Sequence, residues 1–157
     1  MAESGRTQPA AQPKTYYVDA EGKIAGRLCS HVAKLLLEGN RVIVVNAEST
    51  LFSGSRRNIM TEWAARLNLG SVVHPKHGPF HPRTPDGILS RMVRGMLPRR
   101  KPSGAAALKR LRVYVGVPEE YSKVSFTDFE DSKATKPIAF YFPLGEIAAK
   151  IGWKGGK

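Results

Sequence analysis

The run Val42-Ile43-Val44-Val45 constrains this chain more than any other stretch. A continuously apolar, β-branched run of this length reads as a strand covered on both faces, the habit of parallel sheets. What precedes it is helical. From Ile24 onward, Leu28, Cys29, Val32, Leu35 and Leu36 recur at three-to-four spacing, and Gly39-Asn40 is a stop signal. Before that, Tyr16-Tyr17-Val18-Asp19-Ala20 reads as a short strand, with a turn marked by Gly22. Strand, helix and strand joined by short connections form a βαβ unit, hence a parallel sheet with a right-handed crossover. The expected fold class is α/β.

The remainder must pack on that unit. Thr50-Leu51-Phe52 reads as a further short strand, and Ser53 or Ser55 as the cap of a helix. Ile59, Met60, Trp63, Ala64 and Leu67 share one face of that helix. In residues 74–83, Pro75, Gly78, Pro79 and Pro82 forbid regular structure and leave an extended, stiffened loop. Thr84-Pro85-Asp86 then starts a helix that runs to about Leu97. Its buried stripe is Ile88, Leu89, Met92, Val93, Met96 and Leu97. Ser103 is expected to cap a short helix, and Leu111-Arg112-Val113-Tyr114-Val115 alternates like a strand. Residues 119–136 read as a loop wrapping the domain, with brief pairing at Val124-Ser125-Phe126, and residues 144–151 as a short amphipathic helix. Residues 1–15 are expected to form a flexible tail, because they hold few apolar anchors, and residues 16–157 a single domain.

Charge is where function becomes visible. The formal net charge is +12, from 25 Lys and Arg against 13 Asp and Glu, and the excess is local. Residues 74–112 hold ten cations (Lys76, Arg83, Arg91, Arg94, Arg99, Arg100, Lys101, Lys109, Arg110 and Arg112) against Asp86 alone. A solubilising surface would mix Lys with Glu. Here Arg dominates and Glu is absent, and the planar guanidinium suits phosphate, so the stretch reads as a polyanion-binding arm. Arg91 and Arg94 lie off the buried stripe, one turn apart, where both reach one ligand. Arg56 and Arg57 fall in the first turn of their helix, against its dipole. They read either as solvated charges or as contacts to an outside phosphate.

Other chemistries fit poorly. Gly22-Lys23-Ile24-Ala25-Gly26-Arg27 sits where a nucleotide loop would, but matches neither glycine-rich phosphate pattern. Lys23 and Arg27 therefore read as phosphate contacts or solvated charges. His74, His77 and His81 are loosely spaced like metal ligands, yet no cysteine or acid nearby completes a site, so no metal is expected. His77 and His81 are better placed to pack or to hydrogen-bond an RNA backbone. No nucleophile signature is present, and no cofactor is expected. The single cysteine, Cys29, fits a reducing cytosol. No apolar h-region opens the sequence, and no apolar run approaches the roughly 20 residues that span a bilayer.

Val93-Arg94-Gly95-Met96-Leu97-Pro98, then Gly104, then Leu111-Arg112-Val113-Tyr114-Val115-Gly116, resembles the signature of the L-thirteen family of large-subunit ribosomal proteins. Asp19-Ala20, Gly26-Arg27-Leu28, Val44-Val45-Asn46-Ala47-Glu48 and Ser53-Gly54 are similar to that family's N-terminal half. Val117-Pro118-Glu119-Glu120-Tyr121 replaces the His-Pro-His of bacterial members. Together with Gly145 and Gly152-Trp153-Lys154, it resembles the archaeal and eukaryotic branch. The absence of a long lysine-rich stretch leans toward the archaeal side.

The resemblance implies a three-layer α/β/α fold around a small, mainly parallel sheet, with the basic arm at residues 74–112. It implies no catalysis, and a structural role binding large-subunit ribosomal RNA, early in assembly, beside neighbouring ribosomal proteins on the cytoplasmic ribosome. By position, residues 95–112 are the implied RNA-contacting region. The full set of expected RNA contacts is Lys23, Arg27, Arg56, Arg57, Lys76, His77, His81, Arg83, Arg91, Arg94, Arg99, Arg100, Lys101, Lys109 and Arg110. The alternatives are a small RNA-processing or RNA-modifying α/β enzyme, with a cofactor at the turn near Gly22, and a DNA-binding architectural protein.

Overall fold

The computed structural model describes residues 13–155. Its centre is the expected βαβ unit. Strand β1 (Thr15–Asp19) leads into helix α1 (Ala25–Leu37) and then strand β2 (Arg41–Val45). β1 and β2 run parallel, in register from Thr15↔Arg41 to Asp19↔Val45. Strand β4 (Leu111–Val113) joins the other edge of β2, also parallel, so the order is β1-β2-β4. As the middle strand, β2 is bonded on both sides, and Val42, Ile43, Val44 and Val45 are all buried.

Side chains alternate across a strand, so the two faces of β2 meet different surroundings. Val42 and Val44 join the main core cluster with Leu28, Val32 and Leu36 of α1. Helix α3 (Pro85–Met96) lays Ile88, Leu89 and Val93 into the same cluster. Full burial of side chains of this size stabilises the fold by roughly 1.5–3 kcal/mol each. Ile43 and Val45 lie on the opposite face with Tyr17. There the ring of Tyr121, carried on the 3-10 turn Glu119–Tyr121, sits 5.5 Å from Tyr17 and 5.8 Å from Tyr114. This aromatic turn packs on that side of the sheet.

Strand β3 (Leu51–Ser53) pairs antiparallel with β5 (Tyr141–Pro143), which passes directly into helix α5 (Leu144–Lys150). β5 was not expected. The local sign of it is the aromatic run Phe140-Tyr141-Phe142. Helix α2 (Arg56–Asn68) buries Trp63 alone; Ile59, Met60 and Leu67 are half-covered, and Ala64 is exposed. It lies on the body as a loosely packed surface helix.

Other expectations shift in detail. Met96 is exposed, whereas Leu97 is buried just past the end of α3. Ser55 and Thr84 hold the cap positions of α2 and α3, but neither side chain makes a capping hydrogen bond. Ser103 is not a cap. Helix α4 (Pro102–Lys109) starts two residues earlier, with Lys101 at the cap position and Pro102 in its first turn. Residues 74–83 are not wholly irregular, because Pro75–His77 close one 3-10 turn. The strand expected over residues 111–115 ends at Val113. The brief pairing of the wrapping loop falls one residue later than expected, at Thr127, whose N–H donates to the Tyr17 carbonyl at 2.7 Å. The expected tail lies outside the described residues up to residue 12, and Thr15 is already in β1.

Candidate nucleic-acid interface

Three anchors fix the basic arm. Its helix, α3, is fastened by the buried stripe just described. Leu111 returns the chain into the sheet beside Val42. Between them, residues 97–104 turn tightly. The Lys101 N–H donates to the Pro98 carbonyl at 3.0 Å, and α4 crosses so close that a Cβ on Gly104 would stand 2.3 Å from that oxygen. Only glycine allows this approach. The turn therefore presents Arg99, Arg100 and Lys101, all exposed, from a fixed backbone.

Ion pairing among the described residues does not reach the arm. Four salt bridges occur among the described residues: Lys23 and Lys133 with Asp128, Arg56 with Glu146 and Arg66 with Glu62. None involves a cation of residues 74–112. Lys76, Arg83, Arg91, Arg99, Arg100, Lys101 and Lys109 are exposed and Arg94 half-buried, all without an acidic partner among the described residues. Arg110 faces partly inward: its Nη2 donates to the Leu36 carbonyl at 2.7 Å, closing the end of α1. Arg112 folds back on the carbonyls of Lys109 and Leu111.

The expected contacts outside the arm fare differently. Lys23 is 6% exposed and bonded to Asp128. Burial pushes its ammonium below the ordinary lysine range, and the nearby Lys133 charge acts the same way. Its charge is met within the chain by Asp128. Arg27 is exposed and donates to the Asp131 carbonyl at 3.0 Å. Both residues thus help clasp residues 128–133 over the β1–α1 turn, with the Ile24 N–H donating to the Ser132 carbonyl at 2.7 Å. Arg56 meets Glu146 at 3.1 Å and lies 4.9 Å over the Phe142 ring, which answers its conflict with the α2 dipole. Arg57 is exposed, with no acidic partner among the described residues.

His74 and His77 approach edge to face at 5.7 Å, and His81 is half-buried against α2 and α3. No group of three or more His, Cys, Asp or Glu side chains among the described residues is arranged to hold a metal ion. Sequence reasoning missed Arg66, which lies 5.5 Å over the Trp63 ring at the edge of the arm. The signal was present in its three-residue spacing from Trp63, which sets both on one helix face. It also missed the apolar surface beside the histidines, where Val72, Val73 and Phe80 are largely exposed.

A family model described as ribosomal protein L13 matches residues 13–120. The chain belongs to the ribosomal protein L13 family. Curated relatives extend the likeness beyond the match. One from Aeropyrum pernix is 47% identical, covering 88% of this chain and 90% of its own length. One from Methanopyrus kandleri is 36% identical and covers 98% of this chain and 97% of itself. A eukaryotic relative from Tetrahymena thermophila is 38% identical, over 89% of this chain and 72% of its own length. All three are named large ribosomal subunit protein uL13. As an L13-family protein, the chain is a structural constituent of the ribosome and not an enzyme, which removes the RNA-modifying alternative. The archaeal and eukaryotic character expected from residues 117–121 and 145–154 matches these relatives.

Proposed function

We propose that this chain is a constituent of the large ribosomal subunit that binds large-subunit ribosomal RNA through the arm at residues 74–112, on cytoplasmic ribosomes and beside other large-subunit proteins. The observation that carries the reading is the absence, among the described residues, of any ion pair to the arm's ten cations, although acids elsewhere on the molecule are paired. Unpaired guanidinium groups held this close together repel one another until an anion arrives. Arg91, Arg94, Arg99, Arg100, Lys101 and Lys109 form the centre of the surface. Lys76, His77, Arg83 and the prolines of residues 74–83 form a stiff extension that loses little freedom on ordering. Arg27, Arg57 and the outward part of Arg110 lie at its margins. Most contacts read backbone and shape, because the available groups are phosphate-seeking cations. Residues 16–157 act as one unit in this role.

The test is the salt dependence of binding to deproteinised large-subunit RNA. A slope equivalent to roughly six to ten neutralised phosphates is expected. Replacing Arg99, Arg100 and Lys101 together with Ala flattens that slope and leaves the fold intact. An unchanged slope removes this turn from the surface. The native chain is also expected to stay with large subunits through a high-salt wash.

A further inference from the structure

Between α2 and α3, on the flank of the arm, lies a cavity of about 360 Å³. Trp63 lines it and is only 8% exposed, so its ring forms part of the floor. Met92 and Gly95 of α3 supply one wall, with the Arg66 and Arg91 guanidinium groups and His81 around them. A second cavity of about 370 Å³ adjoins it and shares Arg91 and Pro82; it is lined by Ser90 and Arg94. No acidic side chain lines either space. The His81 Nε2 is closed from solvent and has no hydrogen-bond partner among the described residues.

These features specify a ligand with two unlike parts. One part is flat and apolar on its faces and suits Trp63 and Met92. The other is anionic and suits Arg91 and Arg94. A purely apolar anchor from a neighbouring protein fits worse, because it would desolvate Arg66, Arg91 and His81 without partnering them. A nucleotide carries both parts on one unit. Single-stranded and looped RNA offers such units, with bases that splay out and stack on aromatic rings and arginine planes. We infer that the α2–α3 cleft receives one unstacked nucleotide of the bound RNA, its base against Trp63 and Met92 and its phosphate against Arg91 and Arg94. The inference rests on the RNA-binding reading above. It adds to that reading a base-holding site, where the arm alone offers only charge.

Gly95 makes the test clean. A Cβ placed there meets nothing within 4 Å, so Gly95→Phe can grow into the open cleft without displacing the core. The full chain, wild type and Gly95→Phe, is titrated with deproteinised large-subunit RNA at one salt concentration. The RNA is then probed with base-specific alkylating reagents and, separately, with hydroxyl radicals. The expected result is an affinity loss of roughly 5- to 100-fold. One base protected in the wild-type complex regains reactivity in the variant, while the backbone footprint of the arm persists. Trp63→Leu, which keeps the site apolar, gives the same pattern from the floor of the cleft, with thermal melts confirming that each variant folds. Unchanged affinity and unchanged base reactivity in both variants overturn the inference while leaving the arm reading in place. If the wild-type chain fails to bind the RNA, both fall together. If Gly95→Phe binds RNA normally but no longer enters large subunits, the cleft holds a protein side chain and the inference is overturned.

Discussion

Gly104→Ala isolates the close approach that sets the basic turn. The added methyl would stand 2.3 Å from the Pro98 oxygen and 2.7 Å from its carbonyl carbon. Both are far inside contact distance, and the obstacle is backbone, so no side-chain rotation relieves it. Either α4 or residues 98–101 must move by about an ångström, since tightly packed interiors transmit such strain. Overpacking of this kind costs about 1–3 kcal/mol. The Lys101 N–H to Pro98 bond stretches with the shift, a loss of about 1 kcal/mol. Ala is the better helix former by about 1 kcal/mol, which offsets part of this. The net expectation is destabilisation by roughly 1–3 kcal/mol, or about 2–10 °C in Tm for a chain of this length. Calorimetry and urea denaturation of the isolated chain read the stability, and filter binding to large-subunit RNA reads the displaced arginines as weaker affinity. Gly95→Ala is the control of opposite sign. It meets open space, so propensity acts alone and the variant gains about 0.5–1 kcal/mol. If Gly104→Ala were as stable as wild type or more so, the close packing of α4 on Pro98 would not be what holds the turn.

Three further outcomes are expected. Ile88→Ala, which opens a cavity under the arm, should cost about 2–5 kcal/mol in urea denaturation and weaken RNA binding only as far as the fold is lost. Asp128→Asn leaves the buried Lys23 ammonium without its carboxylate and should cost about 1–3 kcal/mol, with no change in the salt slope of RNA binding; Lys23→Met should be milder, since Asp128 keeps Lys133 at 2.6 Å. Burial pushes the Cys29 thiol up to about 12, so the folded state favours the neutral form. Its contribution is therefore complete below the unfolded value near 9 and is lost as pH rises from there toward 12. At pH 8 an aromatic disulfide reagent should label Cys29 only at the rate of unfolding, and prompt labelling of native protein would contradict its burial.

What the sequence revealed and what it hid follow from the range of the interactions. The βαβ unit was legible because helix period and strand composition are local properties. The arm was legible because ten cations in one stretch need no partner to be counted. Strand β5 was hidden because its reason to exist is β3, about ninety residues earlier. The fate of Lys23 was hidden for the same reason: it looked like a surface cation until Asp128, 105 residues away, was placed beside it. Helix α2 fell between the two cases. Its apolar positions share a face, but only Trp63 is fully buried, while Ile59, Met60 and Leu67 pack half-covered against the core.

The clasp over the β1–α1 turn also imposes an order in time. Synthesis delivers β1, α1, β2, the whole arm and β4 before residues 128–143 exist. The parallel sheet can close at that stage, with the cations already displayed to any RNA nearby. β3, however, has no partner strand until residues 141–143 emerge, and Lys23 has no counter-ion until Asp128 does. An unfinished chain thus carries an open strand edge of the kind that recruits other chains. The basic arm is thus complete before the strand edge is covered, and on the proposed RNA-binding role chains stopped near residue 120 should be held soluble by RNA and aggregate without it.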